Sequence, residues 1–175
     1  FSVVHGATVQ RYGLNLFDSD TIFSKFGYVK QDDGSWLGIT RHGNTYSFAL
    51  PAQIKGPIYV QAEAKSTGKK GNPFQLIAYY AEGGSEALIS LTQKEYTSFK
   101  KASDANKTVS YFMVSQGGGN DAIAGAFYIR DFMISYADGE YEPYKKPEPI
   151  TAEDGNISIV GNGEGVTLIA DDGVT

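Results

Sequence analysis

Four close pairs of carboxylates, Asp18/Asp20, Asp32/Asp33, Glu82/Glu86 and Glu140/Glu142, are the first residues in this chain that invite a chemical reading. Glycan hydrolysis uses two carboxyl groups that face each other across a sugar, one giving a proton and the other acting as base or nucleophile. Carboxylates that are neighbours in sequence do not face each other in that way. All four pairs lie in turn-forming or strand-ending sequence, where turn chemistry accounts for them. The two histidines, His5 and His42, have neither metal-ligand spacing nor a nucleophile motif beside them. No GxSxG occurs, and Gly68-Lys69-Lys70-Gly71 lacks the upstream glycine and the following Ser/Thr of a phosphate loop. The glycine run from Gly117 to Gly125 has no βαβ context that would suit a nucleotide. The chain has no cysteine, which removes disulfides, thiolate zinc sites and thiol nucleophiles. No enzyme is expected.

Glycan recognition without catalysis asks for different residues. Aromatic rings lie flat on the apolar faces of sugars, while amide, acidic or guanidinium groups take the hydroxyls. The informative aromatics are therefore those turned away from the core. Trp36 follows a hairpin turn, Tyr59 shares its face with Gln61 and Glu63, and Tyr79 shares its face with Gln75. Tyr128 neighbours Arg130 on the face opposite Phe127 and Ile129. Trp36, Tyr59, Gln61, Gln75, Tyr79, Tyr128 and Arg130 make up the expected ligand-binding set. The blander account is that Tyr and Trp are good strand formers whose polar tips reach water, and a single Trp in a sandwich is commonly core.

Strands must position these residues, because hydrophobic alternation runs through most of the chain. Ile58, Val60, Ala62 and Ala64 fall on one face of a strand, with Tyr59, Gln61, Glu63 and Lys65 on the other. Phe74, Leu76, Ala78 and Tyr80 form a second inward set, and Tyr46, Phe48 and Leu50 a third. Gln31-Asp32-Asp33-Gly34 reads as a hairpin turn between strands at 27–30 and 35–40. Further strands are expected at 87–91, 96–101 and 108–115. The segment around Leu16 to Phe26 admits two readings: an irregular first strand, or a short helical turn capped by Asp18 or Ser19. In Phe127 to Ile134 the apolar phase shifts, since strict alternation would bury Asp131. That shift predicts a β-bulge at Arg130-Asp131.

Short strands recurring with turn signals and no helical periodicity argue for an all-β antiparallel sandwich, of the jelly-roll kind. The 175 residues suit one such domain plus tails. A 41% apolar fraction, 13% aromatic, is too rich for a disordered chain. The net charge of −5 is mild and dispersed, so no nucleic-acid surface is expected. No apolar run approaches the ~20 residues that span a bilayer, so no membrane segment is expected either. Chain organisation is read as a connector over 1–14, the jelly-roll β-sandwich over 15–144, a Pro-rich linker over 145–149, and a C-terminal segment over 150–175. In that segment Ile157–Val160 and Val166–Ile169 are expected to pair as a hairpin for assembly or as the start of a next domain. With Phe1 rather than Met at its start, the chain is expected to be a fragment of a longer protein.

Two motifs bracket the expected sandwich. It opens with Leu14-Asn15-Leu16-Phe17-Asp18, then Gly27-Tyr28 and Asp32-Asp33-Gly34-Ser35-Trp36. It closes with Ile129-Arg130-Asp131-Phe132-Met133-Ile134, a short acidic turn, and Tyr141-Glu142-Pro143-Tyr144. In this order the pair resembles the galactose-binding or carbohydrate-binding-module-like jelly-roll domains attached to tail, baseplate and tail-fibre proteins of phages and prophages of Gram-positive bacteria. The resemblance implies a non-enzymatic, receptor-binding module on a virion, displayed outside the cell. Its partners would be cell-surface polysaccharide, other tail or baseplate proteins, and sister copies in a homo-oligomer such as a trimer. Two other roles stay open: a structural or oligomerisation spacer of the virion without sugar binding, and an accessory binding module of a secreted glycan-degrading enzyme. No cofactor is expected, with one alternative. Jelly-roll modules often carry a structural calcium, and Asp18, Asp20 and Asp131 would converge if the first and last strands pair, although no EF-hand spacing is present.

Overall fold

Alternating sequence becomes alternating burial along most of the chain. The computed structural model describes residues 8–41, 44–67, 72–117, 123–151 and 167–171. In order these form β1 (Thr8–Tyr12), α1 (Ser19–Lys25), β2 (Val29–Lys30), β3 (Trp36–Arg41), β4 (Asn44–Phe48), β5 (Tyr59–Ser66) and β6 (Asn72–Tyr80). They continue as β7 (Ser85–Ser90), β8 (Thr97–Ala102), β9 (Val109–Gly117), β10 (Ile123–Ser135), β11 (Glu148–Thr151) and β12 (Thr167–Asp171). His5, His42, the Gly68-Lys69-Lys70-Gly71 stretch and Ile157–Val160 lie outside the described residues.

Two antiparallel sheets carry the domain, one in the order β2-β3-β10-β5-β8 and the other β4-β9-β6-β7. The late strand β10 enters between β3 and β5, and β9 enters between β4 and β6. Two four-stranded sheets interleaved in this way, with β2 added at one edge, are a jelly roll. The core between them holds the inward sets expected from alternation: Ile58, Val60, Ala62 and Ala64 on β5, and Phe74, Leu76, Ala78 and Tyr80 on β6. A cluster of rings fills the end near α1, where Phe17 packs 4.4 Å from Phe132 and 4.9 Å from Phe23, centroid to centroid.

Of the two readings of the segment after Leu16, the helical one forms. Asp18 caps α1 by accepting from the Thr21 amide at 3.1 Å. The bulge at Arg130-Asp131 is also present. The β10–β5 register shifts between Arg130 and Met133, and Asp131 takes a positive φ of 50°. That conformation is uncommon for a residue with a Cβ, and Asp is among those that tolerate it best. Its effect is to turn Asp131 outward and return Phe132 to the core, where it is 2% exposed.

A third sheet joins strands from the two ends of the chain. It has the order β11-β1-β12, so the N-terminal strand sits in the middle. Thr8 pairs with Thr151 on one side and with Asp171 on the other. Residues 8–12 of the connector are thus joined to 148–151 and 167–171, with β12 paired to β1. Glu148 and Pro149, at the end of the Pro-rich stretch, belong to β11. Pro149 is tolerated there since, among the described residues, β11 is an edge strand with one side free of ladder bonds.

Candidate functional site

The seven residues of the expected binding set separate into three places. Trp36 is 6% exposed and packs among the core rings, its centroid 5.7 Å from Phe23. Only part of its ring reaches a surface cleft, with Lys30 Nζ 5.6 Å from the ring centre. Tyr59, Gln61, Tyr128 and Arg130 lie on the outer face of the five-stranded sheet, where Arg130 stands opposite Glu63 and Tyr128 opposite Lys65. Gln75 and Tyr79 lie on the outer face of the other sheet. There Gln75 Nε2 donates to Ser90 Oγ at 3.1 Å, and the Tyr79 ring stacks on Tyr111 at 4.8 Å and 5°. Ring-on-ring stacking leaves each of those tyrosines one face for anything else.

On the five-stranded sheet the polar and aromatic groups interlock. Arg130 donates from Nε to Glu63 Oε2 at 2.8 Å, and its guanidinium carbon lies 4.0 Å from the centre of the Tyr96 ring. Lys65 Nζ sits 4.7 Å from the same ring and 5.3 Å from that of Tyr128. Ser98 Oγ donates to the other oxygen of Glu63 at 3.3 Å. The bond to Glu63 raises the Arg130 pKa further above its ordinary value, so this group is charged at any working pH. As a surface ion pair it contributes about 0–1 kcal/mol to stability, so the arrangement fixes geometry more than it holds the fold. Tyr96 was not in the expected set. It precedes a strand whose alternation is weak, and nothing local marks it as an outward ring beside Arg130.

Arg130 also lines a cleft of about 190 Å³ that opens beside the bulge. Asp18, Asp20 and Lys30 come to it from α1 and β2, Asp131 from the bulge, and Tyr141 and Tyr144 from the chain after β10. Buried Asn15 forms part of the lining and holds these pieces together through bonds to Phe17, Phe132 and Glu142. Burial raises the phenol pKa of Tyr141 and Tyr144, helped by the Asp131 and Asp18 carboxylates respectively. Both therefore act as neutral hydrogen-bonding groups at neutral pH. The volume is below the roughly 300 Å³ at the lower end of drug-sized sites.

Asp18, Asp20 and Asp131, from separate parts of the sequence, all line this cleft. Their present engagements differ, though. Asp20 pairs with Lys30 at 2.7 Å, while Asp18 takes both the amide and the hydroxyl of Thr21. Among the described residues no group of three or more His, Cys, Asp or Glu is placed to hold a metal ion.

The turn before β3 shapes the far side of the cleft. Asp33 accepts from the Ser35 hydroxyl at 2.6 Å and the Ser35 amide at 3.0 Å, and these bonds hold its carboxyl below the ordinary 3.8. Glu82 is likewise held below its ordinary 4.5, chiefly by the Thr108 amide. A depressed carboxylate contributes stability that is present above its unfolded pKa and lost as pH falls through the folded value. Thermal melts from about pH 5 downward should therefore show a falling Tm, and the Asp33→Asn/Glu82→Gln double variant should fall less steeply. Parallel curves would mean these bonds do not couple to folding.

No family model matches the chain, and no curated protein matches it in sequence. Among the described residues no helix is long and apolar enough to cross a membrane.

Proposed function

We propose that this jelly roll is a non-enzymatic carbohydrate-binding module, engaging glycan through the outer face of its five-stranded sheet and the adjoining cleft. The observation that carries this reading is the placement of Arg130. It is shared between a row of Tyr96 and Tyr128 on the sheet and a cleft edged by Asp131, Tyr141 and Tyr144. Flat rings beside a concave polar pocket are what sugar recognition requires. The resemblance of the opening and closing motifs supplies the setting: the tail, baseplate or fibre of a phage or prophage, outside the cell, meeting host-surface polysaccharide. Other tail proteins and sister copies are the partners in that setting.

A second reading draws on a different observation. Val29 and Ile39 are 60% and 66% exposed, and with Leu37 they make an apolar strip at the β2–β3 edge of the same sheet. Such a strip suits protein contact and favours a structural or oligomerisation domain of the virion.

Sedimentation with protein-stripped Gram-positive cell walls separates the two readings. Binding should be saturable, competed by free saccharide, and weakened roughly tenfold by Tyr128→Ala. Tyr79→Ala, on the opposite face, should bind as wild type. Loss that follows Tyr79 would move the site to the other sheet. No binding by folded protein, with concentration-dependent self-association, would favour the structural role.

A further inference from the structure

The cations of the five-stranded sheet are not equally satisfied. Lys100 pairs with Asp138 at 3.0 Å and Arg130 with Glu63 at 2.8 Å. Among the described residues Lys65 has no carboxylate within ion-pair distance. It is held instead against the Tyr96 and Tyr128 rings. Arg130 lies against the same Tyr96 ring, so two cations converge on one aromatic; among the described residues Glu63 is their one ion-pair partner, with Asp131 and Asp33 acting on Arg130 from further away. The bond to Glu63 uses Nε alone, and among the described residues Nη1 and Nη2 make no hydrogen bond. The Arg130 side chain is 38% exposed, so the guanidinium is partly accessible to a ligand.

The geometry points to an acid-bearing glycan as the ligand: Arg130 and Lys65 together would take one anionic group of the saccharide, a carboxylate or a phosphodiester. This rests on the carbohydrate-binding reading and narrows it to a class. The physical case has three parts. A guanidinium held by ring stacking and by its Nε bond is pre-oriented, and its free edge matches a carboxylate or phosphate with two parallel bonds. Lys65, a compact charge on a flexible stem, supplies the second contact without needing a fixed geometry. An anion placed between the two relieves the mutual repulsion of cations that share one ring. Tyr128, its ring centre 5.3 Å from Lys65 Nζ, extends the platform, and the next sugar ring can lie on it.

The test is affinity electrophoresis of the full chain in gels containing one soluble polymer each. The polymers are polygalacturonate, poly(glycerol phosphate), and fully methyl-esterified polygalacturonate as a neutral match to the first. Retardation by either acidic polymer, and not by the ester, is expected. Which acid is preferred tells carboxylate from phosphodiester. Lys65→Gln and Arg130→Lys should each weaken that retardation about tenfold, the second because a point charge cannot replace the fork. Lys100→Gln, which removes a cation already paired with Asp138, should migrate as wild type. Retardation by the ester equal to that by the acid would overturn the acid assignment and leave carbohydrate binding standing. So would wild-type behaviour of both variants, or an equal loss in Lys100→Gln, which would mean diffuse charge attraction. Retardation by no polymer, with every variant folded by circular dichroism, would overturn both readings together.

Discussion

Asn15→Asp is expected to destabilise the domain by about 3–5 kcal/mol at neutral pH, although the two side chains are nearly the same size. Asn15 is 2% exposed and uses its whole amide. Nδ2 donates to the Phe132 carbonyl at 3.2 Å and to the Glu142 carbonyl at 3.0 Å. Oδ1 accepts from the Phe17 amide at 2.9 Å and, more weakly, from the Ile134 amide at 3.4 Å. A carboxylate has no donors, so two carbonyls would face a buried negative charge. Protonation restores one donor, and the new carboxyl should therefore titrate above the usual range. Its penalty should shrink as pH falls. Asn15→Ala should cost less, about 2–3 kcal/mol, and show no such pH dependence. Urea denaturation of both variants at neutral and mildly acidic pH checks this. Equal losses that ignore pH would mean that the amide is not the tie the geometry makes it. The same loss should loosen the Tyr141–Tyr144 side of the cleft, so ligand binding should weaken in variants that still fold.

Gly38→Ala should cost about 3 kcal/mol for the addition of one methyl group. A Cβ on Gly38 would stand 2.2 Å from Cζ and 2.4 Å from Cε1 of Phe127. Phe127 lies directly across the β3–β10 ladder from Gly38 and is 0% exposed. It cannot swing aside, because Tyr28 and Phe74 each pack 5.2 Å from its ring centre. The glycine is there for space. Its φ is not the reason, since it is not among the positive-φ glycines. Phe127→Leu creates a void by itself but should partly rescue Gly38→Ala, giving a coupling energy above about 1 kcal/mol in a double-mutant cycle. A single variant within about 0.5 kcal/mol of wild type would show that the ring yields more readily than its neighbours suggest.

The periodicity of the chain carried much of this structure, at specific residues. Asp131 breaks the apolar phase of its strand, and a bulge is how a backbone absorbs such a break without burying a charge. Asp18 before an apolar run is a cap signal, and the short helix follows it. The inward sets of β5 and β6 are legible because the side-chain period of a strand is two, whatever sheet the strand joins. The choice left open at Leu16 to Phe26 goes to the helical turn, from which Phe23 packs against Phe17, Trp36 and Phe132.

By itself, then, the sequence determined which side of each strand faces the core, where turns and the bulge fall, and that the whole is an all-β sandwich. Only the tertiary structure decided which outward residues share a face. Tyr79 and Tyr128 look alike in sequence, yet β6 and β10 belong to different sheets and their outward faces point away from each other. Tyr96, just before a weak edge strand, joins Arg130 because β8 pairs with β5. The third sheet is of the same kind: β1 finds β11 and β12 more than a hundred residues away. The physical reason is common to all three. Local alternation reports the polarity of a strand's two sides, whereas pairing is a contest among distant strands settled by the energy of the whole fold.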